Sequence, residues 1–220
     1  MTNYLITAFY HFTPLANFND LKEPFLNFCR QAGLKGTIIL ASEGINGSLA
    51  GSQAQVKKFY QYLANYEEFN GINFKENQAQ LIPFSKMKVR LKKEIVALGK
   101  QTDLRQKGQY IAAEAWDDFI RREDVVLIDT RNDYEYKIGS FKGAINPETE
   151  NFRDFPTWFE KNQQAFANKK IAMFCTGGIR CEKSTALVKQ YDFPESYHLQ
   201  GGILDYLAKT KNPNQLWQGN

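Results

Sequence analysis

The segment FCTGGIRCEKS, residues 174–184, holds two of the three cysteines of a 220-residue chain. Cys175 and Cys181 flank two glycines and an arginine. An apolar run, KIAMF, leads into Cys175, and IRCEKSTALVKQ follows with helical composition, so the segment reads as strand, loop, helix. Open parallel sheets bind ligands at the carboxyl ends of their strands, which is where Cys175 stands. Gly177 and Gly178 let the backbone curl so that successive N–H groups point inward. The next helix offers its positive N-terminus to the same spot. A thiol so placed is expected to have a lowered pKa and to exist partly as thiolate. Thr176, Gly177, Gly178, Ile179 and Arg180 would then cradle an anion around a nucleophilic Cys175, with Arg180 as a forked donor.

Other chemistries fit this spacing less well. A structural zinc site needs about four ligands, usually with two to four residues between paired cysteines. Here five residues separate them and the chain has only 2 histidines, so no metal site is expected. A phosphatase loop has five residues between its cysteine and its arginine; from Cys175 that arginine position is Cys181, and Arg180 comes one residue too soon. The shorter loop suits a group smaller than phosphate, such as a sulfane sulfur carried on the cysteine. The structural alternative is a buried, inert Cys175 with glycines serving a tight turn. A disulfide is a poor expectation. The opening MTNYLITAFYHF has no basic region or small-residue cleavage site and reads as a first strand, which suggests a reducing cytoplasm. No apolar run approaches the roughly 18–20 residues that span a bilayer.

The elements that must position these residues divide in two. In the first half, YLITAFYHF (4–12) reads as a strand. A helix follows, with Leu21, Phe25, Phe28 and Cys29 on one face. KGTIILASEGINGSLAGS (35–52) reads as a hairpin turning at Asn46-Gly47. A second helix spans 52–69, and SKMKVRLKKEIVALG (85–99) supplies the last strand. The order β-α-β-β-α-β predicts a ferredoxin-like α+β sandwich over residues 1–99. Residues 100–107 are polar and read as a linker. From 108 to 208 short apolar strands alternate with helices, which predicts a parallel α/β domain, and 209–220 reads as a C-terminal tail.

The segments VVLIDTRNDYEYKIGSFKGAINP and IAMFCTGGIRCEKS resemble a rhodanese domain over about residues 108–208. Asp129 and Arg131 match that family's Asp-x-Arg, Glu135 its following glutamate, and Gly139 and Gly143 its glycines. Ser140 and Phe141 depart from its pattern. The resemblance puts Cys175 on the nucleophile that carries a persulfide. CTGGIRCEKS together with the upstream GTIILASEGINGSLAG is closer still to the tRNA uridine hydroxylase family, rhodanese-containing proteins with a ferredoxin- or acylphosphatase-like N-terminal domain. Members often extend past the last residue of this chain. The resemblance implies oxygen-dependent conversion of the wobble uridine of tRNA to 5-hydroxyuridine. It also implies tRNA as partner, molecular oxygen as co-substrate and Cys175 as the essential thiol. No other cofactor is evident from the sequence. A plain sulfurtransferase and a redox-sensing RNA-binding protein are the competing functions.

Other residues carry two readings each. Cys181 is either a resolving thiol for Cys175 or a small helix residue packed inward. Asp129 and Arg131 are expected to brace the cysteine loop. Glu43 and Asn46 sit in a fixed turn and are weak candidates for a nucleotide contact. Cys29, His11 and His198 are expected to be structural. In SKMKVRLKK, strand alternation puts Lys86, Lys88, Arg90 and Lys92 on one face and Met87, Val89 and Leu91 on the other. Such a row of cations suits a phosphate backbone, and a solvated sheet edge is the alternative. The whole net charge of +4 falls in the first half. Residues 1–103 hold 12 Lys and Arg against 8 Asp and Glu, while 104–220 hold 16 of each.

Overall fold

Alternation builds the first strand. In β1 (Tyr4–Phe12) the side chains of Leu5, Thr7 and Phe9 are buried, and Tyr4, Ile6 and Ala8 face the other way, half-buried. Then come α1 (Lys22–Gln31), β2 (Lys35–Ala41), β3 (Gly44–Gly51), α2 (Gln53–Leu63), β4 (Asn73–Ala79) and β5 (Met87–Leu91). The five strands form one sheet in the order β4-β1-β3-β2-β5. Phe25 and Cys29 of α1 and Val56, Phe59 and Leu63 of α2 pack with Leu5, Phe9, Ile38, Leu40, Ile45 and Leu49 in a single core. Ser52 starts α2 with a capping box: its Oγ accepts from the Gln55 N–H at 3.3 Å, and Gln55 Oε1 accepts from the Ser52 N–H at 2.7 Å.

The computed structural model describes residues 3–210 and 216–219 and divides into two units, Met1–Val96 and Ala97–Asn220. Two expectations for the first unit need correction. Its sixth element is β4, and the basic segment is an additional strand that lies parallel to β2 at the sheet edge. The chain also turns at Ser42-Glu43, because Asn46 and Gly47 lie inside β3, paired with β1 and β2. Packing explains the glycine: a Cβ on Gly47 would stand 2.6 Å from the Phe9 ring.

The second unit contains β6 (Gln109–Ile111), α3 (Ala113–Ile120), β7 (Val125–Asp129), α4 (Asp133–Ile138), β8 (Gly139–Phe141), α5 (Phe155–Asn162), β9 (Lys170–Phe174), α6 (Ile179–Lys189), β10 (Ser196–Leu199), α7 (Gly202–Lys209) and β11 (Trp217–Gly219). β6-β10-β9-β7 is an all-parallel sheet, as the apolar strand runs predict. Trp116, Phe141, Phe174, Leu199 and Tyr206 fill one of its faces.

The stretch 100–107 is not a free linker. It includes a 3-10 turn at Leu104–Gln106, and Lys107 Nζ donates to Glu182 of α6 at 3.0 Å. The tail is also partly built in, since β11 pairs antiparallel with β8, Trp217 opposite Phe141. Residues 211–215 and Asn220 lie outside the described residues. No described helix is long and apolar enough to cross a membrane.

Candidate active site around Cys175

Cys175 leaves the carboxyl end of β9 and is fully buried. Gly178 adopts φ 100°, the left-handed region, and this bend aims its N–H at the Cys175 sulfur, 3.1 Å away. Burial alone would raise the pKa of this thiol. A hydrogen bond from the Cys181 thiol, the charge of Arg180, and the N–H groups of Cys181 and Gly178 outweigh it and hold the pKa below the ordinary thiol range. Cys181 shifts the other way. Its own burial comes first, then its bond to Cys175 and the charge there, and its pKa is pushed well above the ordinary value. The two shifts are opposite in sign, so Cys175 is the thiol of the pair that ionises more readily.

The loop is held from three sides. Thr130, just after β7, donates its hydroxyl to the Phe174 carbonyl at 2.9 Å and lies 3.6 Å from the Cys181 sulfur. Glu135 on α4 accepts both arms of Arg180, at 2.7 and 2.8 Å, together with the Thr176 hydroxyl at 2.8 Å. Burial works to raise the Glu135 pKa, but Arg180, Thr176 and the Asn132 N–H outweigh it and keep the carboxylate ionised. From behind, the first N–H groups of α7 donate to the loop: Ile203 to the Cys175 carbonyl at 3.0 Å and Leu204 to Thr176 at 3.2 Å. Only glycine permits this approach, because a Cβ on Gly202 would stand 2.4 Å from the Cys175 carbonyl oxygen.

Gly177 has no positive φ, so the left-handed bend expected of both glycines falls on Gly178 alone. A Cβ there would meet nothing within 4 Å, so Gly177 faces open space. Arg180 is also less free than the sequence suggests. Its charge acts on the sulfur, yet both terminal nitrogens of its fork are taken by Glu135.

Asp129 and Arg131 do not touch the cysteine loop through their side chains. Asp129 accepts from the Arg131 guanidinium at 2.7 and 3.0 Å and from Ser140 at 2.9 Å. Arg131 also donates to the Gly139 carbonyl and lies over the Phe174 and Trp217 rings. The pair fixes β8 and β11, while Thr130 and Glu135 brace the loop. Glu135 had a sequence signal of its own, Asn-x-x-Glu at the start of α4, and the Asn132 N–H donates to Glu135 at 3.2 Å. Thr130 had none.

With this geometry in view, the comparisons with known proteins fall into place. Residues 4–95 match the family described as UPF0176 acylphosphatase like domain, and residues 112–209 match the rhodanese-like domain. A tRNA uridine(34) hydroxylase of Wolbachia pipientis subsp. Culex pipiens is 50% identical over 99% of this chain and 77% of its own length. One from Legionella pneumophila (strain Corby) is 48% identical over 100% and 87%. The chain belongs to the tRNA uridine(34) hydroxylase family.

Similar solved structures include a rhodanese-like domain from Anabaena sp., at 14% identity and TM-score 0.41, covering 52% of this chain and 80% of that one. An acylphosphatase from Coxiella burnetii is 15% identical with TM-score 0.31, covering 40% and 94%.

The first unit of this hydroxylase-family chain carries the other candidates. Met87 and Val89 are buried in the core, Lys86, Arg90 and Lys92 are exposed, and Lys88 is half-buried, so the expected alternation is present. Among the described residues these four cations and Lys93 make no ion pair. Glu43 and Asn46 have a structural task. Glu43 accepts from the Ile95 N–H at 2.7 Å and Asn46 donates to the Ile95 carbonyl at 2.9 Å, clamping the chain beyond β5. Cys29 lies in the core, where burial pushes its pKa to about 12. His198 is buried against Tyr110, and burial pushes its pKa down to about 4. Among the described residues no group of three or more His, Cys, Asp or Glu is placed to hold a metal ion.

Proposed function

We propose that this chain converts the wobble uridine of tRNA to 5-hydroxyuridine with molecular oxygen as co-substrate, and that Cys175 is the catalytic thiol. The observation that carries the reading is a buried thiol whose ionisation is favoured by Cys181, Arg180 and two N–H groups, the Gly178 N–H lying 3.1 Å from the sulfur, in a loop whose Gly177 faces open space. Its place in the hydroxylase family supports the substrate and the reaction class.

A thiolate can add to C6 of uracil. That addition raises electron density at C5, the carbon that takes oxygen, and expulsion of sulfur with loss of the C5 proton restores the ring. One oxygen atom stays on C5. The other leaves as water, with two electrons and two protons from a thiol reductant. Sulfur departs as the thiolate, and the Cys181 thiol hydrogen-bonded to it is placed to stabilise that charge. The tRNA phosphates would lie along Lys86, Lys88, Arg90 and Lys92, and the enzyme would work in the cytoplasm with its substrate.

The test is mass spectrometry of tRNA nucleosides from cells that depend on this chain. Cys175→Ala should abolish 5-hydroxyuridine while leaving the fold intact. Unchanged 5-hydroxyuridine would end this reading, and loss of 2-thiouridine instead would establish sulfur transfer.

A further inference from the structure

We infer that a groove at the carboxyl ends of β1, β2 and β5 binds one nucleotide of a single-stranded RNA segment, with the base on Phe18 and the phosphates on Lys92 and Lys93. This rests on the RNA substrate proposed above and adds a site to it.

The groove follows from strand direction. β1 and β2 are each antiparallel to β3, and β5 is parallel to β2, so β1, β2 and β5 run the same way. They also end together: Phe12 and Ala41 both stand opposite Gly44, and Leu40 stands opposite Leu91. The chain leaving these three ends walls a groove of about 540 Å³, lined by Phe18, Asn19, Ser42, Leu91, Lys92 and Lys93. That is within the usual range for small-ligand sites.

Backbone hydrogen bonds fix the walls. The Thr13 N–H donates to the Glu43 carbonyl at 3.0 Å, Leu15 to Ser42 at 2.9 Å and Lys92 to Leu40 at 3.0 Å. A ligand would therefore meet a preformed shape. The lining residues are one aromatic, one aliphatic, an asparagine, a serine and two lysines, and Phe18 is held there by packing against the core of the first unit. Stacking on an aromatic face beside a cationic track is how proteins hold single-stranded nucleic acid. Duplex RNA fits poorly, because its bases would have to leave the stack to reach Phe18. Charge complementarity extends beyond the groove. Lys88 and Arg90 lead up to Lys92 at intervals of about 6.6 Å along the strand direction, and none of these cations has an acidic partner among the described residues.

The probe is a fluorescein-labelled octauridylate, with a blunt-ended two-strand RNA duplex as the control, titrated onto the full chain by fluorescence anisotropy. A second octauridylate carrying 5-iodouridine is photo-crosslinked and the site read by peptide mass spectrometry. Phe18→Leu keeps the packing of a partly buried apolar residue. It should weaken octauridylate binding roughly 5- to 100-fold and leave duplex binding unaffected. Lys92→Ala with Lys93→Ala should lower the slope of log K against log salt by roughly 1.4 for the single strand. Crosslinks should fall on Phe18. Wild-type affinity in both variants, crosslinks confined to residues outside the lining, or equally tight binding of polyglutamate at the same site would overturn the assignment.

The two readings fail separately. If Phe18→Leu binds normally while Cys175→Ala still abolishes 5-hydroxyuridine, the groove falls and the function stands. If Phe18 crosslinks while Cys175→Ala keeps making 5-hydroxyuridine, the function falls and the groove stands.

Discussion

The edge strand β5 and the Cys175 loop are both rich in charge and hydrogen-bonding groups, yet they use them in opposite ways. On β5, Lys88 and Arg90 point away from a core that holds Met87 and Val89, and neither meets a carboxylate among the described residues. Around Cys175 every group is committed inward. Arg180 is forked onto Glu135, Glu135 also holds Thr176, and Cys181 hydrogen-bonds to the Cys175 sulfur. Internally paired charges tune the chemistry of a neighbour, while unpaired charges remain available to a partner. Substitutions that treat the two regions alike should therefore give unlike results.

The largest effect is expected one residue away from the free charges. Val89 is buried beneath the same strand. Val89→Asp places a carboxylate in the core without a partner and should destabilise the first unit by about 4 kcal/mol. Denaturant unfolding measures it. A loss under about 1 kcal/mol would mean that the strand has no committed face and that the comparison is wrong.

Next in size is the same substitution made in each region. Arg180→Gln removes two charge-assisted hydrogen bonds and should cost about 2–3 kcal/mol, whereas Arg90→Gln should stay within about 0.5 kcal/mol. Only the first should move the thiol. With Arg180 gone, the pH midpoint of Cys175 alkylation should rise toward the free-cysteine value of about 8.5, and the acid limb of the activity profile should move up with it. The stability linkage has the same sign. The fold favours the thiolate, so the stability Cys175 contributes is complete above its unfolded pKa and is lost as pH falls through the lowered folded value. Arg180→Gln narrows that window. A wild-type midpoint already at 8.5 would remove the basis for an activated sulfur.

Smaller is the effect of Lys88→Ala with Arg90→Ala. Filter binding of tRNA at several salt concentrations should show a slope reduced by roughly 0.7–0.9 for each lost phosphate contact, with unchanged unfolding. Unchanged slope and affinity would make β5 a solvated edge and nothing more.

These contrasts were only partly legible in the sequence. Apolar runs such as VVLID and KIAMF announce buried parallel strands by composition alone, and the alternation of β5 follows from strand geometry. β4 was missed because NFKENQA is polar: it runs along the sheet edge with only its Phe74 ring against the core, on Phe9 and Tyr60. β6 and β11 have three residues each and exist through pairing with distant strands, which no local pattern encodes. Asn46-Gly47 looked like a turn because that dipeptide tolerates one, but the Phe9 ring decided the matter. At the site, the place of Cys175 between the end of β9 and the start of α6 was legible from the apolar run before it and the glycines and helical composition after it. Of its braces, Glu135 has a local signal that marks only the start of α4 and Thr130 has none, because both reach the loop from elements about forty residues earlier.

The smallest expected effect tests whether Cys181 belongs to the chemistry or only to the packing. Its sulfur is fully buried, within reach of Thr130, and hydrogen-bonded to Cys175. Serine keeps a donor of similar size at that place, and alanine removes it. If the bond to the thiolate matters, Cys181→Ser should reduce 5-hydroxyuridine formation roughly fivefold or less. Cys181→Ala should reduce it further and raise the Cys175 alkylation midpoint more than serine does. A packing role alone predicts another order: both variants lose some stability and neither moves the midpoint. A third order would expose a redox role. Serine cannot form a disulfide, so if Cys181→Ser were as inactive as Cys175→Ala, the second sulfur would be needed as sulfur, and the committed region would be a two-thiol centre.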